Sequence, residues 1–172
     1  MGDPVSLILN TAGLIGVAAA IGGLVIAIDD FRKLNPGDEF KALRAEAESF
    51  GASCQLVGAQ LERLHKDAAT QTFLKENADS FRELLLDRCS EEIEGSSRTV
   101  EKLGKLIRDM DRRRKGWSKM EGLMKRSSLL WHRQDVEKLR QQISSHMNFL
   151  NMVLVTCNMY CITSCFLRAP WC

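Results

Sequence analysis

Residues Pro4 to Ile28 read PVSLILNTAGLIGVAAAIGGLVIAI, a stretch without a charged side chain in which Ser6, Asn10 and Thr11 are the conspicuous polar groups. As a helix this run would rise roughly 38 Å, enough to span a hydrocarbon core of about 30 Å. Asp29 and Asp30 close it, and Arg32 and Lys33 follow. Within it Gly13, Gly16, Gly22 and Gly23 each cost about 1 kcal/mol of helix propensity in water, so something must compensate. Small residues four apart (Ala12 with Gly16, Gly16 with Ala20, Ala18 with Gly22, Ala19 with Gly23) form strips where another helix can approach closely. Such strips serve helices in lipid and tight packing in a soluble bundle alike. Two identities therefore stay open: a membrane segment, stable or conditional, and a permanently buried bundle helix. A secretion signal fits poorly because MGDP puts an acid where a basic leader is expected. Gly2 and Ser6 match the bare myristoylation pattern, but Asp3 and Pro4 interrupt it.

Outward from that run the pattern changes. Leu34-Asn-Pro-Gly37 is a turn signal. Beyond it Phe40, Leu43, Ala47, Phe50, Cys54, Val57, Leu61 and Leu64 recur at alternating steps of three and four, which predicts a long amphipathic helix with charges on its other faces. The mixture of Ala, Cys and Phe on this seam suits a bundle interior better than a uniform zipper. A third helix is expected from near Phe73, with Leu74, Ala78, Phe81, Leu85 and Cys89 on one face. Gly95-Ser96-Ser97 reads as a break or kink, after which Val100, Leu103, Ile107 and Met110 resume the stripe, so either one long bent helix or two collinear ones run to about Asp111. Asp135 can open the last helix, where Val136, Leu139, Ile143, Met147, Leu150, Leu154, Cys157 and Cys161 follow helical spacing. The chain is uncharged again from Met147 to Leu167, but Asn148, Asn151 and Asn158 make that run a buried bundle helix rather than a span.

At 172 residues, 45% hydrophobic and with three prolines, one domain of all-α class is expected: an antiparallel bundle of four to five helices with an apolar Gly/Ala-rich N-terminal helix. Its divisions are 1–33 (the apolar helix, packed on or released from the rest), 34–167 (the bundle) and 168–172 (the tail). A net charge of +2 gives no bulk attraction for nucleic acid, and none is expected as a partner. The local exception lies between Arg108 and Arg133, with nine Lys or Arg against three acids. There Arg112, Arg113, Arg114, Lys115 and Lys119 form a patch suited to anionic lipid head groups or to a solvated connector. Cys54, Cys89, Cys157, Cys161, Cys165 and Cys172 are expected as reduced thiols, several at core-like helical positions. No C-x-x-C occurs, so neither metal nor other cofactor is expected. Nor is an enzyme expected, for want of a nucleophile elbow, a phosphate loop or a His and carboxylate paired at useful spacing.

The uncharged opening ending at Phe31, Leu84-Leu-Leu-Asp-Arg-Cys89, and Ser128-Leu-Leu-Trp131 followed by Asp135-Val-Glu-Lys-Leu139 give the chain a resemblance over about residues 3–157. It resembles the fungal N-terminal domain carried by NACHT-type, ankyrin-bearing and azaphilone-cluster proteins, related loosely to HeLo and HeLo-like cell-death domains. The resemblance implies a non-enzymatic helical effector, cytoplasmic until activation, whose first helix is then released into membrane. The inserting residues would be Leu7, Leu9, Leu14, Ile15, Val17, Ile21, Leu24, Val25 and Ile28. Implied partners are other copies of the chain, an anionic membrane surface and an upstream nucleotide-binding sensor protein, since these residues contain no G-x-x-x-x-G-K-[ST] and no repeat. The rival expectation is a soluble helical interaction module with the first helix always buried.

Overall fold

The structure, a computed structural model, describes residues 4–34, 38–66, 88–116 and 122–168. Among these the side chains of 4–9, 34, 39, 113–116, 122–133, 160, 161 and 163–168 lie outside the described set. Four helices and no strand are present among the described residues: α1 (Pro4–Leu34), α2 (Asp38–Lys66), α3 (Arg88–Gly116) and α4 (Gly122–Arg168). The expected helix start near Phe73, Lys119 and the tail 169–172 fall outside them.

Contact positions set the directions. Ile21 lies against Gly51 and Leu14 against Gly58, while the Phe31 and Phe40 rings meet at 4.8 Å beside the turn, so α1 and α2 are antiparallel. Glu46 binds Arg140 and Phe50 stacks on His146, so α4 runs with α2. Ile93 abuts Gly13, and α3 packs on α1 and α4; α1 and α4 do not form a packed pair with each other. The arrangement is a square in which α1 and α4 occupy opposite corners.

The heptad seam of α2 fills the centre. Leu43, Ala47, Phe50, Cys54, Val57, Leu61 and Leu64 are all buried, and Phe40 is half-buried against them. The expected seams on α3 (Val100, Leu103, Ile107, Met110) and α4 (Val136, Ile143, Leu150, Cys157) are buried too. On α4 Val153 joins the core in full, and neighbouring Leu154 only in part. Each large aliphatic side chain so buried contributes roughly 1.5–3 kcal/mol, which lets short polar stretches stay helical.

Of the two alternatives at Gly95-Ser96-Ser97 the single helix holds: α3 is continuous from Arg88 to Gly116. Ser96 and Thr99 are buried there, the Thr99 hydroxyl donates to the Gly95 carbonyl at 2.9 Å, and the missing Gly95 side chain makes room for His146. Asp135 does not open α4; it is an exposed residue well inside a helix of 47 residues that starts at Gly122. Neither Gly nor Pro occurs between Leu123 and Gln134 to stop the helix extending backwards.

Candidate functional site: the two faces of the first helix

Because Pro4–Ile28 is apolar all round, its periodicity leaves the buried face undecided, and packing chooses it. Leu14, Val17, Ile21, Leu24, Ile28 and Phe31, at steps of three and four, are at most 3% exposed and form α1's share of the core. Val25 is half-buried against that core, as are Ala18 and Ala27.

The opposite face is open. Ala12, Ile15, Gly16, Ala19, Ala20, Gly22, Gly23 and Ile26 are exposed, Ile15 at 57% and Ile26 at 65%. Of the nine residues expected to insert, Leu14, Val17, Ile21, Leu24 and Ile28 face the core, Ile15 faces out, and Val25 lies between. Leu7 and Leu9 are in α1 with side chains outside the described set. The four glycines divide likewise. A Cβ on Gly13 would lie 2.8 Å from Ile93 Cγ2, so Gly13 brings α1 close to α3, whereas Gly16, Gly22 and Gly23 have nothing within 4 Å of that position. Three of the four expected packing glycines thus pack on nothing within the described bundle. On α3, by contrast, the exposed positions are all charged or Ser: Arg88, Ser90, Glu91, Glu94, Ser97, Arg98, Glu101, Lys102, Lys105, Arg108 and Arg112. Among the described residues α1, over Asn10–Lys33, is the one helix long and apolar enough to cross a membrane, and 28% of that window is buried.

Charges gather where α1 ends. Arg44 Nε stands 2.7 Å from Asp29 Oδ1, an ion pair by distance rather than an aligned hydrogen bond, and Arg44 also holds Glu48 at 2.9 Å. The Arg44 guanidinium, helped by Arg32, keeps the Asp29 carboxyl below the usual carboxylate range. Asp30 pairs with Lys33 at 2.8 Å. Of these, the Asp29–Arg44 pair ties the C-terminal end of α1 to α2. Of the basic patch, Arg112 lies exposed in the last turns of α3, 3.8 Å from Asp109, and Arg113, Arg114 and Lys115 complete that helix. Cations there complement the negative end of the helix dipole.

Tertiary structure also assembles a cluster that sequence spacing hides. His146 on α4 approaches Glu92 of α3 at 2.6 Å through Nδ1 and Thr99 of α3 at 3.3 Å through Nε2. A carboxylate, an imidazole and a hydroxyl in series have the composition of a nucleophilic relay. Here the Thr99 proton is given to Gly95 and the hydroxyl is buried, so it is not poised to attack. No signal short of the fold would have joined residues 47 and 54 positions apart. Cys54, Cys89 and Cys157 are buried, and burial pushes the Cys54 and Cys89 thiols up to about 12. Among the described residues no group of three or more His, Cys, Asp or Glu could hold a metal ion.

Comparison with protein-family models, with curated proteins and with solved structures returns no match.

Proposed function

We propose that the chain is a non-enzymatic helical effector domain whose first helix enters membrane conditionally, of the regulated cell-death or incompatibility type. The observation that carries this reading is that α1, from Asn10 to Ile28, is core on one face and uncharged on the other. A helix serving only a soluble bundle places polar residues outward, as α3 does. In hydrocarbon, α1 would keep its inner-face residues out of water and add Ile15, Ile26 and the small residues between them. The energy lost is then mainly that of reclosing α2 and α3 behind it.

The small outward residues Gly16, Ala19, Gly22 and Gly23 suit close helix contact between copies in lipid. The basic end of α3 suits an anionic leaflet, at about 1 kcal/mol per Lys or Arg near the surface. The resemblance to HeLo-like domains supports the same sequence of events and adds the expectation of an upstream nucleotide-binding sensor and a cytoplasmic resting state.

The test is flotation of the full chain with phosphatidylserine-containing vesicles, comparing the native protein with Ile15→Lys/Ile26→Lys. Both forms are expected to fold in water, with only the native chain floating and becoming protease-protected over α1; equal flotation overturns the proposal. The burial of Leu14, Val17, Ile21, Leu24, Ile28 and Phe31 favours a second reading, a soluble interaction module with α1 fixed. On that reading neither form floats.

A further inference from the structure

We infer that His146 is a proton-dependent clasp holding α3 between α1 and α4. The inference follows from counting hydrogens. The Thr99 hydroxyl has one proton, and it goes to the Gly95 carbonyl at 2.9 Å. Its oxygen is therefore left to accept from the imidazole, whose Nε2 is 3.3 Å away. The Glu92 carboxylate accepts from Nδ1 at 2.6 Å. With the hydroxyl proton kept on Gly95, making both contacts takes hydrogen on both ring nitrogens, which is the imidazolium form; a neutral ring has one N–H and holds both partners only if the Thr99 hydroxyl turns from Gly95 to Nε2.

The surroundings suit a cation. Glu92 on α3 is the counter-charge, with Cys89 one turn before it. From α2 the Phe50 ring lies over the imidazole, centroids 6.2 Å apart and planes 21° from parallel, with Cys54 one turn further on. Glu46 of α2 is engaged by Arg140, the nearest described charge on α4. Both thiols are neutral, their ionisation suppressed by burial. The His146 side chain is 15% exposed, so water cannot readily replace a lost partner.

The position gives the clasp its consequence. Within one short stretch of α3, Ile93 abuts Gly13 of α1, while Glu92, Gly95 and Thr99 meet His146 of α4. A Cβ on Gly95 would lie 3.2 Å from the ring's Cε1, so the ring is seated directly on the α3 backbone. Loss of one proton from His146 releases a bond between α3 and α4 and slackens the support of the N-terminal half of α1. The bundle is firmest with the ring doubly protonated and loses one α3–α4 bond when the ring is neutral and the hydroxyl stays with Gly95. This concerns the folded chain in water and does not depend on entry into lipid.

The experiment is urea unfolding of the full chain at about pH 5.5 and about pH 8, for the native protein, His146→Gln and Glu92→Gln, with ¹⁵N NMR of the native imidazole rings at the lower pH. The native folding constant is expected to fall roughly tenfold more over that interval than either variant's, the effect of one charge-assisted bond. Both His146 ring nitrogens should show protonated shifts at the lower pH. An equal pH dependence in all three proteins, or a neutral single-tautomer His146 ring, overturns the inference. Should the variants fail to fold, the native NMR spectrum decides alone.

Discussion

Gly22 and Gly13 sit nine positions apart in α1 with opposite surroundings, open space at one and Ile93 at the other. Replacing Gly22 or Gly23 by Ala should therefore raise stability by about 0.5–1 kcal/mol in urea unfolding, because helix propensity improves with nothing displaced. Gly13→Ala should lower it by about 1–3 kcal/mol, since the branched Ile93 methyl has to move. The sequence marks all four glycines as sites of close approach, and only Gly13 is one within the described bundle. What separates them is the choice of buried face, which an all-apolar helix does not write into its pattern. Asp29 carries a pH prediction. Its carboxyl is held below the usual range by Arg44, so its contribution is complete above the unfolded value near 3.8 and is lost as pH falls through the lower folded value. Asp29→Asn should flatten that acid limb in a stability profile measured by circular dichroism.

At the scale of the helix, α1 divides substitutions by face. Ile21→Ala should cost about 2–5 kcal/mol, whereas Ile15→Ala on the open face should stay within about 0.5 kcal/mol; chemical denaturation distinguishes them. The helix α2 was legible in detail because Leu43 to Leu64 alternate with Lys, Arg and Glu, so pattern and packing agree. Helix ends were legible less well. Gly95 reads as a break or a kink because glycine is costly in a helix, yet α3 runs through it unbroken and the position admits the His146 ring. The start of α4 looked like Asp135 because that residue can cap, yet the residues before it contain no stop signal. Long-range pairs were illegible, among them the fork of Arg140 on Glu46, which ties α4 to α2 and raises the proton affinity of the guanidinium. Arg140→Gln should cost about 0.5–1 kcal/mol in urea unfolding, the upper range for a partly exposed bidentate pair, and that deficit should grow as salt is lowered and the native pair is less screened.

For the whole molecule, the square arrangement puts α1 at a corner, packed on α2 and α3 and open elsewhere among the described residues. A central helix could not leave without dissolving the fold; a corner helix can leave while α2 and α3 each keep their packing on α4. Its ion pairs lie at its C-terminal end, where Asp29 meets Arg44, so that end can act as the tether while the N-terminal half swings away. Hydrogen exchange followed by mass spectrometry, on the full chain with and without anionic vesicles, measures this most directly. Vesicles should deepen protection across residues 10–28 while exchange quickens on the inward seam of α2 that α1 had covered. Unchanged protection in both segments, with the protein recovered unbound, would contradict a detachable membrane helix.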